Sequence, residues 1–326
     1  MANVGNGTKD DWKLTLLSPV LAAVYTIIAC LAVLGNGMVI TVMLLRRRVF
    51  SSFTNRLILH QSVIDSLAGV LYFLQRAVIN THEMSVSTEG TLKDQLICRL
   101  LLQDFAPLIV SVTSTYNLVM ISVERFMATC HPVRHRNTWT KAKLKFAVGI
   151  PWCIGFIYSS HFMFVAEAHQ GRCRPTDMVR GLKIVQGSVV IGIEYLVPIT
   201  ILIYTYSRII ITLTKKSANP RNAPRNVINK AKKNVLVTML LIGSLFVVCW
   251  TPPIVLYIYE QFSEEGLMLQ YSITILLACN AFVNPIIYCF KYEHFRSELR
   301  NLVIGRCRRN QVHDRAAAAP RIINEP

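Results

Sequence analysis

Charge is what this chain has least of. Only 16% of its 326 residues are charged, against 52% hydrophobic. A soluble domain usually carries about a quarter charged residues, so an ordinary water-soluble fold is excluded. The nine cysteines show no metal-like spacing, which argues against a zinc module. Cys30, Cys153, Cys249, Cys279 and Cys289 lie inside apolar stretches, where a thiol packs as a small hydrophobe. No apolar signal-peptide core precedes residue 14, so the first apolar segment is expected to serve as its own insertion signal. Beyond Ser297 there is no Ser or Thr at all.

What is present is apolar sequence in seven blocks: about 18–45, 55–79, 96–130, 144–165, 182–213, 234–259 and 266–290. Each approaches or exceeds the roughly 20 residues that a spanning helix needs. The links are short and polar, leaving no room for a separate soluble domain. The reading is all-α: a seven-transmembrane helix bundle with an amphipathic eighth helix. Residues 1–17 form a tail, 18–307 the bundle with its eighth helix, and 308–326 a disordered tail.

The net charge of +17 is not spread evenly. Lys and Arg gather in alternate links: Arg46-Arg47-Arg48, then 134–145, 215–233 and 296–309. Glu83, Glu89, Asp177, Glu264 and Glu265 sit in the others. That alternation is the positive-inside pattern; it puts the amino terminus outside and makes the basic links partners of anionic lipid, not of nucleic acid. Cys98 and Cys173 then both fall in outside segments, where a disulfide persists, and they are expected to pair. Asn6-Gly7-Thr8 is a sequon on the same side, either a glycosylation site at Asn6 or a chance triplet. From Lys291 to Ile304 the spacing makes one apolar and one basic face, as in a helix lying on the membrane. Cys307 beyond it carries either a palmitoyl chain or a free thiol.

Polar residues inside the blocks are few and costly. Gly35-Asn36 lets a neighbour approach and leaves an amide that needs an interhelical partner. Asp65 is either an ion or proton site or a structural hydrogen-bonded acid, and Arg76 either snorkels outward or meets a ligand. The third block carries Asp104, Pro107, Ser114 and Asn117, and closes on Glu124-Arg125-Phe126. Such a pair cannot sit free in hydrocarbon, so it marks a water-facing edge where Glu124 holds Arg125 until a better partner arrives. Trp152 in the fourth block reads as a packing or lipid-facing residue. Glu194 in the fifth should face a cavity or a cation. Pro252-Pro253 in the sixth should kink their helix, and the seventh holds Asn280 and Asn284-Pro285-Ile286-Ile287-Tyr288.

In this order, these marks resemble the rhodopsin-like (class A) G protein-coupled receptors over roughly residues 18–307. Gly35-Asn36, Asp65, Glu124-Arg125-Phe126, Trp152, Pro198 with Tyr206, Cys249-Trp250-Thr251-Pro252 and Asn284-Pro285-Ile286-Ile287-Tyr288 each fit a family motif. The resemblance implies a plasma-membrane receptor that binds an extracellular ligand and drives nucleotide exchange on the Gα subunit of a heterotrimeric G protein. It also implies that the sixth helix swings about Pro252 as Trp250 and Phe246 repack. Arg125 then leaves Glu124 and, with Tyr206 and Tyr288, lines the Gα pocket. Asp65, Ser114, Asn280 and Asn284 would surround an allosteric sodium ion, so sodium is expected to weaken agonist binding.

Two departures stand out. The second block reads His60-Gln61-Ser62-Val63-Ile64-Asp65 where the family usually has Asn-Leu-Ala-x-Ala-Asp. From Cys98 to Arg125 is 27 positions, two more than usual, so either a bulge near Pro107 absorbs the excess or the disulfide anchors the helix differently.

Light sensing is disfavoured, because the seventh block has no Lys for a retinal Schiff base. Amines are disfavoured because the family's third-helix acid would fall on Phe105 or Pro107. Gln75, Arg76, Asp104, Glu194, Trp250, Tyr257 and Gln270 are the ligand candidates, and their mixed charges suit a peptide with several ionic handles. A lipid or small-molecule receptor is the alternative. A tail without Ser or Thr predicts weak arrestin recruitment, or recruitment through Thr212, Thr214 and Ser217. A transporter is disfavoured for want of an internal repeat, and an enzyme because the eight histidines are scattered.

Overall fold

Hydrocarbon offers no partner to a backbone amide, so long apolar runs must satisfy their N–H and C=O groups internally. The computed structural model describes residues 11–75, 87–102, 105–176, 178–217, 226–260 and 267–304. In it the apolar blocks form seven long helices: α1 (Asp11–Leu45), α2 (Phe53–Phe73), α3 (Phe105–Cys130), α4 (Leu144–Ser159), α5 (Val197–Ser217), α6 (Asn226–Glu260) and α7 (Leu267–Lys291). A shorter α8 (Glu293–Ile304) leaves α7 at 82°, with Tyr292 at the break. Five of the described helical stretches are long and apolar enough to cross a membrane, and the bent α7–α8 pair makes a sixth. The seventh, α2, falls short of that test, with His60, Gln61 and Asp65 in its middle.

The bundle is apolar outside and polar within. Leu34, Phe146, Ile157 and Phe290 are each more than 70% exposed, whereas Asn36, Gln61, Asp65, Ser114, Asn117 and Glu124 are at most 3% exposed. A water-soluble protein has the reverse arrangement. Around Trp250, Phe246, Tyr206, Tyr288, Leu57 and Phe295 lies the larger buried apolar cluster. Phe295 of α8 points into it, while Leu299 and Leu302 pack on its edge. Thus only part of the apolar face expected on α8 is left for lipid.

Several boundaries differ from the sequence reading. Helix α1 reaches back to Asp11, into the expected tail. Ahead of α3 a short helix, Leu92–Ile97, starts at a capping box between Thr91 and Asp94 and passes into a π turn, Cys98–Leu102. A π turn thus lies in the stretch that carries the extra length between Cys98 and Arg125, and Pro107 sits in the first turn of α3, where a missing N–H costs little. A second π turn, Gly192–Leu196, precedes α5. Pro252 and Pro253 lie within a single assigned helix, α6.

The link after α4 contains a hairpin that the sequence reading did not anticipate. Strand β1 (Ala166–His169) pairs antiparallel with β2 (Arg172–Pro175) in the register Ala168 to Cys173. Its two-residue turn has positive φ at Gln170 (49°) and Gly171 (75°), the left-handed pair that a tight hairpin requires.

Close approach fixes the α3–α4 pairing. A Cβ on Gly155 would lie 2.6 Å from the Ile109 carbonyl oxygen and 2.4 Å from Thr113 Oγ1. On the far side of the bundle, Asn36 of α1 donates to the Ala281 carbonyl of α7 at 2.8 Å, the interhelical partner its burial demands.

Candidate functional site

Three polar centres lie along the bundle. At one end the disulfide Cys98–Cys173 ties the hairpin to the π turn ahead of α3. Gln95 works as a substitute strand: its Nε2 donates to the Ala168 carbonyl at 2.9 Å and its Oε1 accepts from the Ala168 N–H at 3.0 Å. Arg99 Nε donates to the Ala166 carbonyl at 3.0 Å. Below this cap, Glu194 is 8% exposed and accepts from the Tyr158 hydroxyl at 2.7 Å. That hydroxyl is its one hydrogen-bond partner among the described residues. Tyr116 donates to the Ile193 carbonyl at 3.0 Å, satisfying an oxygen in the π turn before α5.

The middle centre is Asp65, 1% exposed. Its Oδ1 accepts from Gln61 Nε2 at 2.9 Å and from Ser114 Oγ at 2.8 Å, and its Oδ2 accepts from Asn284 Nδ2 at 2.8 Å. On α6, Trp250 and Phe246 have ring centroids 5.4 Å apart and both are buried.

At the far end Glu124 is 2% exposed and holds three groups. Thr54 Oγ1 donates to Oε2 at 2.6 Å, and Arg125 Nε lies 2.9 Å from the same oxygen. His135 Nε2 donates to Oε1 at 2.9 Å from a short helix, Pro132–Thr138. The His135 ring stacks on Trp139, whose edge meets Phe53 at 5.0 Å. Tyr206 and Tyr288 are buried close by, and a Cβ on Gly243 would meet the Tyr206 ring at 2.5 Å, so α6 is seated tightly on α5 here. At this end α8 is braced twice: Tyr292 Oη donates to Asn55 Oδ1 at 2.8 Å, and Arg46 Nε lies 3.2 Å from Glu298 Oε2.

The profile of the 7 transmembrane receptor (rhodopsin family) matches residues 35–288, most of the chain. The chain belongs to the rhodopsin-like receptors. Among its relatives, galanin receptor 2b of Danio rerio is 24% identical over 318 residues, covering 93% of this chain and 81% of that protein. The substance-K receptor of Homo sapiens is 26% identical over 325 residues, 92% and 78% of the two chains. Trace amine-associated receptor 2 of Mus musculus is 24% identical over 330 residues, 95% and 92%. All are receptors, not enzymes.

Within this receptor the expected disulfide is formed, and Asp65, Ser114 and Asn284 meet as one group. Asn280 makes no described hydrogen bond to Asp65. Gln75, expected at the ligand, is 4% exposed and donates to the Leu102 carbonyl of the first π turn at 3.0 Å. Trp250 is 2% exposed, so it is a packing element first. Trp152, expected to pack or face lipid, packs on a buried apolar cluster and also donates its indole N–H to His60 Nε2 at 2.9 Å. Thr212 and Thr214, expected in a link, lie within α5 with hydroxyls donating to the helix's own carbonyls. Asn6, Arg76, Asp104 and Cys307 lie outside the described residues, as do the side chains of Ser217 and Gln270.

Thr54 and His135 on Glu124 are contacts the sequence reading did not anticipate, and His60 and Gln61, noted there only as departures from the family pattern, join the hydrogen bonds leading to Asp65. His135 yields a prediction. Because it supplies one of three groups on Glu124, replacing it by alanine should raise ligand-independent nucleotide exchange about threefold, or about 0.6 kcal/mol, near the lower end of the net worth of one hydrogen bond. Guanine-nucleotide binding in receptor membranes checks this, and an unchanged basal rate would remove His135 from the latch.

Proposed function

We propose that this receptor binds a peptide carrying a basic group and transmits that event to a heterotrimeric G protein by nucleotide exchange on Gα. The amino terminus and hairpin then face outward from the plasma membrane, and the Arg125 end faces the cytoplasm. The carrying observation is Glu194: a carboxylate buried in the π turn before α5 with one tyrosine hydroxyl as its described partner. A buried charge without a counter-charge is costly, and a cationic ligand group supplies what is missing. Relatives named for galanin and substance K support a peptide. The trace amine relative supports a second reading, a small amine on the same acid; against it, the third-helix positions where the family's amine receptors place an acid are Phe105 and Pro107.

At the opposite end, Arg125, Tyr206 and Tyr288 are placed to line a cavity for the carboxy-terminal helix of Gα once α6 moves. A cleft of about 320 Å³ already opens between α6 and the α7–α8 bend, lined by Val237, Phe290, Lys291, Glu293 and Arg296. The basic residues of α8 and of the link after α1 suit anionic lipid. Arrestin recruitment is expected to be weak, or to run through Thr212, Thr214 and Ser217.

The test is a screen of peptide, amine and lipid libraries on cells carrying the receptor and a promiscuous Gα, with Arg125→Ala as control. A basic peptide should activate, and Glu194→Gln should weaken its potency at least about 30-fold, the lower end of the cost of truncating a buried charge pair. Activation by a lipid alone, or potency untouched in Glu194→Gln, would overturn the reading.

A further inference from the structure

The hydrogen bonds around Asp65 form a chain with one direction. An indole N–H only donates, so Trp152 makes His60 Nε2 an acceptor at 2.9 Å. His60 is therefore neutral with its hydrogen on Nδ1, which donates to Asn117 Oδ1 at 2.9 Å. Asn117 must then turn its Nδ2 toward Gln61 Oε1 at 2.7 Å, with the Leu57 carbonyl sharing that group at 3.1 Å. With its oxygen committed, Gln61 presents Nε2 to Asp65 Oδ1 at 2.9 Å and to Ser114 Oγ at 2.6 Å. Turning the Gln61 amide over would set oxygen against oxygen at Asp65 and nitrogen against nitrogen at Asn117. Four side chains on α2, α3 and α4 thus fix which end of the amide faces the acid. Gln61, Asp65, Ser114 and Asn117 are all at most 3% exposed, so their polar groups are satisfied by one another and not by bulk solvent.

This arrangement does not fit the sodium ion that the family resemblance implies. A hard cation needs oxygen lone pairs directed at it. Here every described contact on the carboxylate is a hydrogen on nitrogen or oxygen, and the hydroxyl of Ser114 is engaged on both sides. To admit sodium, Gln61 would have to swing away, leaving its own amide buried without partners and costing Asn117 the shorter of its two Nδ2 contacts. We propose that the Gln61 amide takes over the place of the cation, so that the resting state of this receptor is independent of sodium. The position is the one where the family usually carries Leu, which has no polar hydrogen to offer. The inference is independent of the ligand's identity and of Glu194.

The experiment needs no ligand: the probe is sodium itself. Full-length receptor in lipid nanodiscs is melted in sodium chloride and in choline chloride at equal ionic strength. The wild-type midpoint should agree between the two salts within about 1 °C, the result for an ion that does not bind the folded state. Gln61→Leu should gain a sodium-dependent rise of about 2–4 °C at roughly ten times the dissociation constant, and Gln61→Leu combined with Asp65→Asn should lose it again. A wild-type rise that Asp65→Asn removes would overturn the proposal, as would a folded Gln61→Leu with no response. Gln61→Met, of similar length but without the amide, replaces Gln61→Leu if that variant does not fold. If neither folds, the wild-type comparison decides alone: sodium stabilisation that depends on Asp65 refutes the proposal and its absence upholds it.

Discussion

Replacing Glu124 by glutamine should raise ligand-independent nucleotide exchange about tenfold. The carboxylate is 2% exposed and anchors Thr54, Arg125 and His135 together. Glutamine keeps the shape but removes the charge, leaving the Arg125 guanidinium half-buried beside a neutral amide. Breaking a buried pair by neutralising one partner costs about 3–5 kcal/mol where both are fully enclosed. Arg125 retains some water contact, with 22% of its side chain exposed, so a smaller share is expected. About 1.4 kcal/mol of that, directed against the resting state alone, already gives the tenfold change. Membranes holding the variant and a Gα subunit should bind guanine nucleotide faster without ligand, and adding Arg125→Ala should cancel the gain. Basal exchange equal to wild type would show that the latch does not hold the resting state.

Gly155→Val should prevent most of the chain from reaching the cell surface. The new Cβ would sit 2.6 Å from the Ile109 carbonyl oxygen, a backbone atom in the second turn of α3 that cannot turn aside. Thr113 Oγ1, at 2.4 Å, is itself held by that carbonyl at 2.7 Å. Overpacking of this kind costs about 1–3 kcal/mol, which for a chain of this size lowers the melting midpoint by about 2–5 °C. Gly149→Val is the control in the same helix, because nothing lies within 4 Å of its new Cβ. Surface labelling and thermal melts should separate the two; equal expression would mean that α3 and α4 are packed more loosely than described.

The helices were legible because their signal is local. An apolar run of sufficient length with a basic link at one end needs no knowledge of its neighbours. Asn36 was legible for a related reason, since an amide in hydrocarbon must find a partner wherever the chain goes. Gln61 was not. Its departure from the family pattern is visible in sequence, but its meaning depends on Trp152, His60 and Asn117 converging from three helices. His135 lies eleven positions from Glu124 and reaches it only because the Pro132–Thr138 helix docks against Phe53 through Trp139. The two π turns hide because a single inserted residue leaves apolar periodicity almost unchanged. The hairpin hides because four-residue strands fall below any useful window, and only the Gln170-Gly171 pair hints at its turn.

The cap over Glu194 has a mechanical consequence. Hairpin, Gln95, Arg99 and disulfide all converge on the segment leading into α3, so the plug and the third helix are coupled as one lever. From Phe105 to Arg125 that lever is roughly 30 Å long at 1.5 Å per residue. A ligand that tilts or lifts the plug would therefore act on the segment leading into α3 through the disulfide and the Gln95 and Arg99 contacts together.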